Sequence, residues 1–330
     1  MRRFAEIEDL SDLVRDALGA RFRPVGVDRL RGGSKKGVYR VHVDGPGAAS
    51  VIVYSWSDAE NFWPAADGSG VDATHPFAPA SGLVPFMAAQ RRLDDLGIRV
   101  PRILLADDSR RRCPADVAVT EDVAGGTLES LFDTDPARAA TVLNELAGML
   151  DVMHQQRGQQ YGRVDLLERG VKASGVSCEQ LVVDRALLDL AEAAGRDGRI
   201  ASSADALCER LQELAGQVAP RRGYGLIHGE LGPDHVLVDP DGHPVLIDIE
   251  GLMFFDIEWE HVFLQIRFHD RYEALARPGL DRQRLDLYML AMRLSLVAGP
   301  LRLLDGDFPD REFMQGIAEH NLNEALALLR

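Results

Sequence analysis

Four side chains able to take protons or ligate cations, His228, Glu230, Asp234 and His235, fall on one short, turn-rich segment. Two more, Asp248 and Glu250, follow just ahead of Gly251. Between the groups lie apolar runs, Val236-Leu237-Val238 and Val245-Leu246-Ile247, joined by Asp239-Pro240-Asp241-Gly242. Two apolar runs around a D-P-D-G turn read as a β-hairpin. Acidic groups at both ends of such a hairpin converge, and converging oxygens can hold a hard divalent cation. The alternative is a surface hairpin with scattered solvated charges. Apolar strands directly flanking the carboxylates argue against it.

A second stretch near the start offers different chemistry. Arg31-Gly32-Gly33-Ser34-Lys35-Lys36-Gly37 lies between a strand-like segment, Pro24 to Leu30, and the strand Val38 to Val43. A second strand, Ser50 to Tyr54, follows a Gly/Pro turn, so this region reads as a β-meander with a glycine-rich first tip. Glycines let backbone N–H groups approach a phosphate without Cβ interference, and neighbouring lysines add charge. Alone such a loop is unspecific.

The order of the landmarks resembles the aminoglycoside phosphotransferase and choline kinase family, a branch of the protein-kinase-like fold. That family carries H-G-D-x-x-x-x-N, a hairpin, an I-D-x-E segment and a further Asp; His228, Gly229, Asp248, Glu250 and Asp256 match in order and spacing. The resemblance implies an α+β fold of two lobes. A small β-rich N-terminal lobe would span 1–122, and a larger, mostly helical C-terminal lobe 123–330. It implies ATP (or GTP) and Mg²⁺ as cofactors. Gly33, Ser34, Lys35 and Lys36 would cover the nucleotide phosphates, and main-chain groups around Glu121 and Val123 would meet the base. Asp248, Glu250 and His235 would stand at the metal, Glu230 would take or orient the acceptor hydroxyl, and His228 and Asp256 would hold the catalytic turn.

The chain departs from the pattern at four places. Glu230 replaces the catalytic Asp, and its extra methylene moves the oxygens by about an ångström. His235 replaces the metal-binding Asn, and imidazole is a poor Mg²⁺ ligand. Tyr54 stands where the third strand should carry a phosphate-gripping lysine. The helix from Leu83 to Leu96, which should supply that lysine's partner near Phe86 or Met87, contains no glutamate. The ion pair is thus missing as a unit, which leaves no buried charge unpaired, and Lys35 or Lys36 is the available replacement.

The remaining elements fit around these landmarks. Apolar residues at helical spacing predict helices at 5–20, 136–154, 179–194 and 203–218, and an almost wholly helical chain after Asp256. Strands are expected at 98–104 and 117–120. The irregular stretch 55–82, with Trp56, Phe62, Trp63 and Phe77, reads as an insertion tied down by its own aromatics, and His154 as a packed histidine. The 46% apolar and 27% charged composition of 330 residues is that of a globular chain. Without a run of about 18 apolar residues no membrane span is expected, and without a signal peptide or paired cysteines among the three the expected location is cytoplasmic. A net charge of -15 disfavours nucleic acid and would suit a cationic small-molecule substrate. Two further readings compete with the kinase: a pseudokinase-like nucleotide-binding protein, motivated by the four departures, and a metal-dependent hydrolase using His228, Glu230, His235 and Asp248. Neither the acceptor nor the oligomeric state is legible.

Overall fold

The computed structural model describes residues 2–31, 33–47, 50–64 and 72–329. Helix α1 (Ile7–Leu18) leads into strands β1 (Arg23–Arg29), β2 (Gly37–Asp44) and β3 (Ser50–Ser55). Helix α2 (Leu83–Asp95), strands β4 (Ile103–Asp107) and β5 (Val117–Glu121) and helices α3 (Leu128–Thr134) and α4 (Pro136–Gln155) follow. Then come β6 (Arg157–Gly158), β7 (Gly162–Arg163), α5 (Val164–Glu168), α6 (Cys178–Ala194) and α7 (Gly198–Gln217). The chain ends through β8 (Tyr224–Ile227), β9 (Val236–Val238), β10 (Pro244–Leu246), β11 (Met253–Phe255), α8 (Ile257–Phe268), α9 (Arg282–Leu304) and α10 (Arg311–Ala327).

Two compact units result, each assembled from three segments. The first holds Met1–Trp63, Pro79–Glu145 and Pro233–Gly251; the second holds Pro64–Ala78, Leu146–Gly232 and Leu252–Arg330. A single boundary near residue 122 does not describe this division, because long-range pairing ties the hairpin to the N-terminal unit. Leu246 donates its N–H to the Arg99 carbonyl, Val238 donates to Gly126, and Thr127 bridges Leu237.

The first unit is built on a five-stranded antiparallel sheet in the order β1-β2-β3-β5-β4. Strand β2 alternates buried and half-buried residues, the period of a sheet with one face on a core. Its Tyr39, Val41 and Val43 pack with Leu10, Leu13 and Val14 of α1. The central strands β3 and β5 are buried almost throughout. In the β2–β3 register Val38 faces Tyr54 and Gly37 faces Ser55. The strand expected from residue 98 begins only at Ile103. Ile98 and Val100 are nonetheless buried, so their apolar pattern reports packing rather than pairing, and Pro101 has no N–H to give a ladder.

The second unit carries a small sheet in the order β6-β8-β11-β7 beside the helices α6, α7, α9 and α10. These short strands and α5 leave too little periodic pattern to be expected from sequence. Helix α9 is apolar enough by length and composition to cross a membrane, with a mean hydropathy of 1.4 over its best window. However, 56% of that window is buried inside the structure and Arg284 lies within the helix fully buried, the pattern of a core helix.

Candidate functional site: a lysine held by two carboxylates and an anchored turn

The hairpin forms as expected, with Val236, Leu237 and Val238 opposite Leu246, Val245 and Pro244. Gly242 closes the Asp239 turn, its N–H donating to the Asp239 carbonyl. Past the second strand, Asp248 adopts φ 61°. That left-handed conformation is costly for most L-residues and best tolerated by Asn, Asp and Gly. The reversal lets the chain turn immediately from a buried strand into the 3-10 turn Ile249–Gly251.

There the carboxylates of Asp248 and Glu250 share one cation. Lys36 Nζ lies 2.7 Å from Asp248 Oδ1 and 2.5 Å from Glu250 Oε1. Lys36 and Glu250 are buried, whereas the Asp248 side chain keeps 38% exposure. Burial by itself would lower the Lys36 ammonium, but the negative charges of Asp248 and Glu250 outweigh it and the net shift is upward. His235 Nε2 stands 3.7 Å from both Asp234 Oδ2 and Asp248 Oδ2. The structure therefore gathers Lys36, Asp248, Glu250, His235 and Asp234 within one unit. Among the described residues no three His, Cys, Asp or Glu side chains form a metal cage. Mg²⁺ does not need one, since it is usually held by one or two carboxylates together with substrate phosphates. Two carboxylates already drawn onto one ammonium make a fitting pair.

The glycine-rich tip sits beside this cluster. Gly33 approaches the Lys36 carbonyl so closely that a Cβ would collide with it. Ser34 is strapped by residues the sequence assigned to an insertion: its carbonyl accepts from Phe62 N–H at 2.8 Å, and its Oγ accepts from the Trp63 indole at 3.0 Å. Lys35 Nζ lies 5.8 Å from the Trp63 ring. Gly32 and residues 65–71 of the insertion lie outside the described residues. Trp56 joins Tyr54 and Phe86 instead, and Phe77 packs in the second unit with Phe255 and Trp259. Glu121 ends β5 with its N–H donated to the Arg102 carbonyl, while its carboxylate accepts from Arg102 N–H and pairs with Arg99. Val123 is buried beyond it.

His228 and Glu230 belong to the second unit. Strand β8 delivers the buried His228, Gly229 follows at φ 92°, and Glu230 is exposed. The turn is anchored by Glu260, a residue sequence reasoning passed over. Glu260 Oε2 accepts from His228 N–H at 2.9 Å, and Oε1 accepts from Gly229 N–H at 3.0 Å. Glu260 is wholly buried. Burial would raise its carboxyl, but His154 and the His228 amide favour the anion and the net shift is downward. His154 is the packed histidine expected, with Nε2 3.5 Å from Glu260.

Asp256 does not hold this turn. It stands at the N-cap position of α8, where its side chain makes no capping bond and is instead bound by the Arg284 guanidinium and the Tyr288 hydroxyl, each at 2.5 Å. The assignment of turn-holder to Asp256 is corrected to Glu260, one helical turn further on. The spacing Asp256-x-x-x-Glu260, one helical turn, in the mostly apolar run Ile257–Phe268 was the available signal.

The family model of the phosphotransferase enzyme family matches residues 29–294. No match was found among curated protein sequences. Among solved structures, a thermostable mutant of aminoglycoside phosphotransferase APH(4)-Ia in a ternary complex with ADP and hygromycin B superposes with a TM-score of 0.62 at 18% identity, over 96% of this chain and 98% of that one. Spectinomycin phosphotransferase APH(9)-Ia, in complex with ADP and spectinomycin, gives 0.62 at 13% identity over 97% of each chain. Choline kinase LicA from Streptococcus pneumoniae gives 0.60 at 16% identity, over 98% of this chain and 96% of that one. With the family model spanning most of its length and kinase-like neighbours sharing its fold, this chain belongs to the phosphotransferase enzyme family and has the protein-kinase-like fold.

Proposed function

We propose that the protein transfers the terminal phosphoryl group of ATP or GTP to a hydroxyl of a small, hydroxyl-rich and cationic molecule. The observation that carries this reading is the pair Asp248 and Glu250, held on one cation at the end of a hairpin beside a glycine-rich tip. Phosphoryl transfer asks mainly for positioned phosphates, concentrated positive charge and an oriented acceptor. Magnesium, when bound, supplies positive charge to the phosphoryl oxygens, and the carboxylates of Asp248 and Glu250 are the residues to hold it. Glu230, exposed on a turn fixed by two main-chain hydrogen bonds to Glu260, is suited to accept the proton of the acceptor hydroxyl. The net charge of -15 and the ligands of the structural neighbours, hygromycin B and spectinomycin, support a cationic acceptor. The second reading, nucleotide binding without turnover, is favoured by the aromatic residues at positions 54 and 86.

The two readings separate in one experiment. Nucleotide diphosphate release is measured against a panel of amino alcohols and aminocyclitols, with Mg·AMP-PNP affinity measured in parallel. The kinase reading expects Glu230→Gln to lower turnover by about 10²–10⁴-fold with affinity nearly unchanged, and Asp248→Ala to lose both. Wild-type binding without turnover on every acceptor, unaltered by Glu230→Gln, gives the second reading.

A further inference from the structure

The position of Tyr54 is filled by packing rather than charge. Its ring lies 5.5 Å from that of Phe86 and 6.2 Å from that of Trp56, and Trp56 and Phe86 are themselves 5.5 Å apart. A three-ring cluster thus occupies the place where the resemblance calls for a lysine on β3 and a glutamate on α2. Lys36 reaches the same neighbourhood from the bend just ahead of the adjoining strand β2. Val38 is the register partner of Tyr54 and Gly37 that of Ser55, and Lys36 stands in the bend that leads into this pairing. Its ammonium stands 5.1 Å from the Tyr54 ring centre and ends on Asp248 and Glu250. The composition sharpens the point: the chain has only three lysines, Lys35, Lys36 and Lys172, among 37 basic residues. Arginine serves nearly everywhere else, whereas the cation between these two carboxylates and the Tyr54 ring is a compact ammonium.

We propose that Lys36 is the phosphate-gripping cation of this enzyme, moved from β3 to the bend that leads into β2, and that Glu250 takes over as its carboxylate partner while Tyr54, Trp56 and Phe86 fill the vacated site. The proposal rests on the nucleotide-binding reading above. In the structure Lys36 holds Asp248 and Glu250 together. With nucleotide bound, the same ammonium serves the phosphate chain. The aromatic cluster needs no charge of its own, so positions 36 and 54 are exchangeable as sources of the cation.

Calorimetric titration of wild type, Lys36→Met and the double variant Lys36→Met/Tyr54→Lys with Mg·AMP-PNP and with adenosine tests this. Lys36→Met is expected to weaken AMP-PNP at least tenfold and adenosine less than twofold, and the double variant to recover most of the loss. Equal AMP-PNP affinity in wild type and Lys36→Met overturns the proposal, as does a loss that is the same for adenosine, or a folded double variant as weak as Lys36→Met. A measurement on the native protein covers a variant that does not fold. With three lysines, ¹³Cε-lysine labelling gives a spectrum in which the Lys36 signal is expected to shift with Mg·AMP-PNP and not with adenosine. An unmoved Lys36 signal at saturation overturns the relocation, whereas absence of any AMP-PNP binding to wild type overturns the nucleotide reading beneath it.

Discussion

Glu260 shows how far the shape of the turn ahead of Glu230 can depend on one buried carboxylate. Both its oxygens are committed to consecutive main-chain N–H groups, at 2.9 and 3.0 Å. An amide in its place keeps one acceptor and presents an NH₂ to the other N–H. Glu260→Gln therefore leaves a buried donor unmet, at a cost of about 1–3 kcal/mol, and loosens the position of Glu230. The expected outcome is a lower urea midpoint together with a fall in turnover larger than the fall in nucleotide affinity, checked by denaturation and initial rates on the same preparation. Asp248 makes the complementary point. Its side chain serves two masters, a left-handed backbone that few residues accept and a carboxylate bound to Lys36.

At the scale of elements, α8 and α9 are joined through their interiors by charge. Asp256, at the N-cap of α8, accepts from Arg284 and Tyr288 of α9, and Arg284 also donates to the Ala219 carbonyl. Burial pushes the Asp256 carboxyl upward even with Arg284 beside it. Removing the guanidinium alone strands a buried carboxylate, so Arg284→Met should cost about 3–5 kcal/mol. Replacing both partners, as Asp256→Asn with Arg284→Met, should recover a substantial part; thermal melts of the single and double variants check it. The elements themselves were largely legible. The hairpin, β2, β3, β5, α1, α2, α4, α6, α7 and the helical tail declare themselves through period, turn residues and caps. Hidden were features made by tertiary pairing alone: β6, β7 and β11 are too short to show alternation, and Ile98 and Val100 are buried without being a strand. Of the candidate site, the order His228, Gly229, Asp248, Glu250 was readable because it is local. The grip of Lys36 on the hairpin joins residues more than two hundred positions apart, and no local pattern could reveal it.

For the whole molecule, acid is the condition most exposed to test. His261 is buried and neutral; burial first, then the neighbouring His154 and Arg277, hold its imidazole down at about 4 from 6.5. A histidine depressed on folding contributes stability that is complete above the unfolded value and lost as pH falls from 6.5 toward 4. The shift corresponds to ~3 kcal/mol. Glu260, held below the ordinary carboxylate range, adds a loss in the same direction at still lower pH. Urea midpoints between about pH 7 and pH 4 should fall steeply in the wild type and more gently in His261→Gln.

The sheet-bearing unit is completed by Pro233–Gly251. During synthesis its five strands leave the ribosome long before the piece that pairs with the Arg99 and Gly126 carbonyls and supplies the counter-charges of Lys36. The nascent N-terminal part therefore waits, with a buried-to-be ammonium unmatched and main-chain acceptors open, until residue 251 has emerged. Truncations ending ahead of the hairpin should accordingly depend on chaperones, and a synthetic 233–251 peptide is the natural complement with which to rescue them.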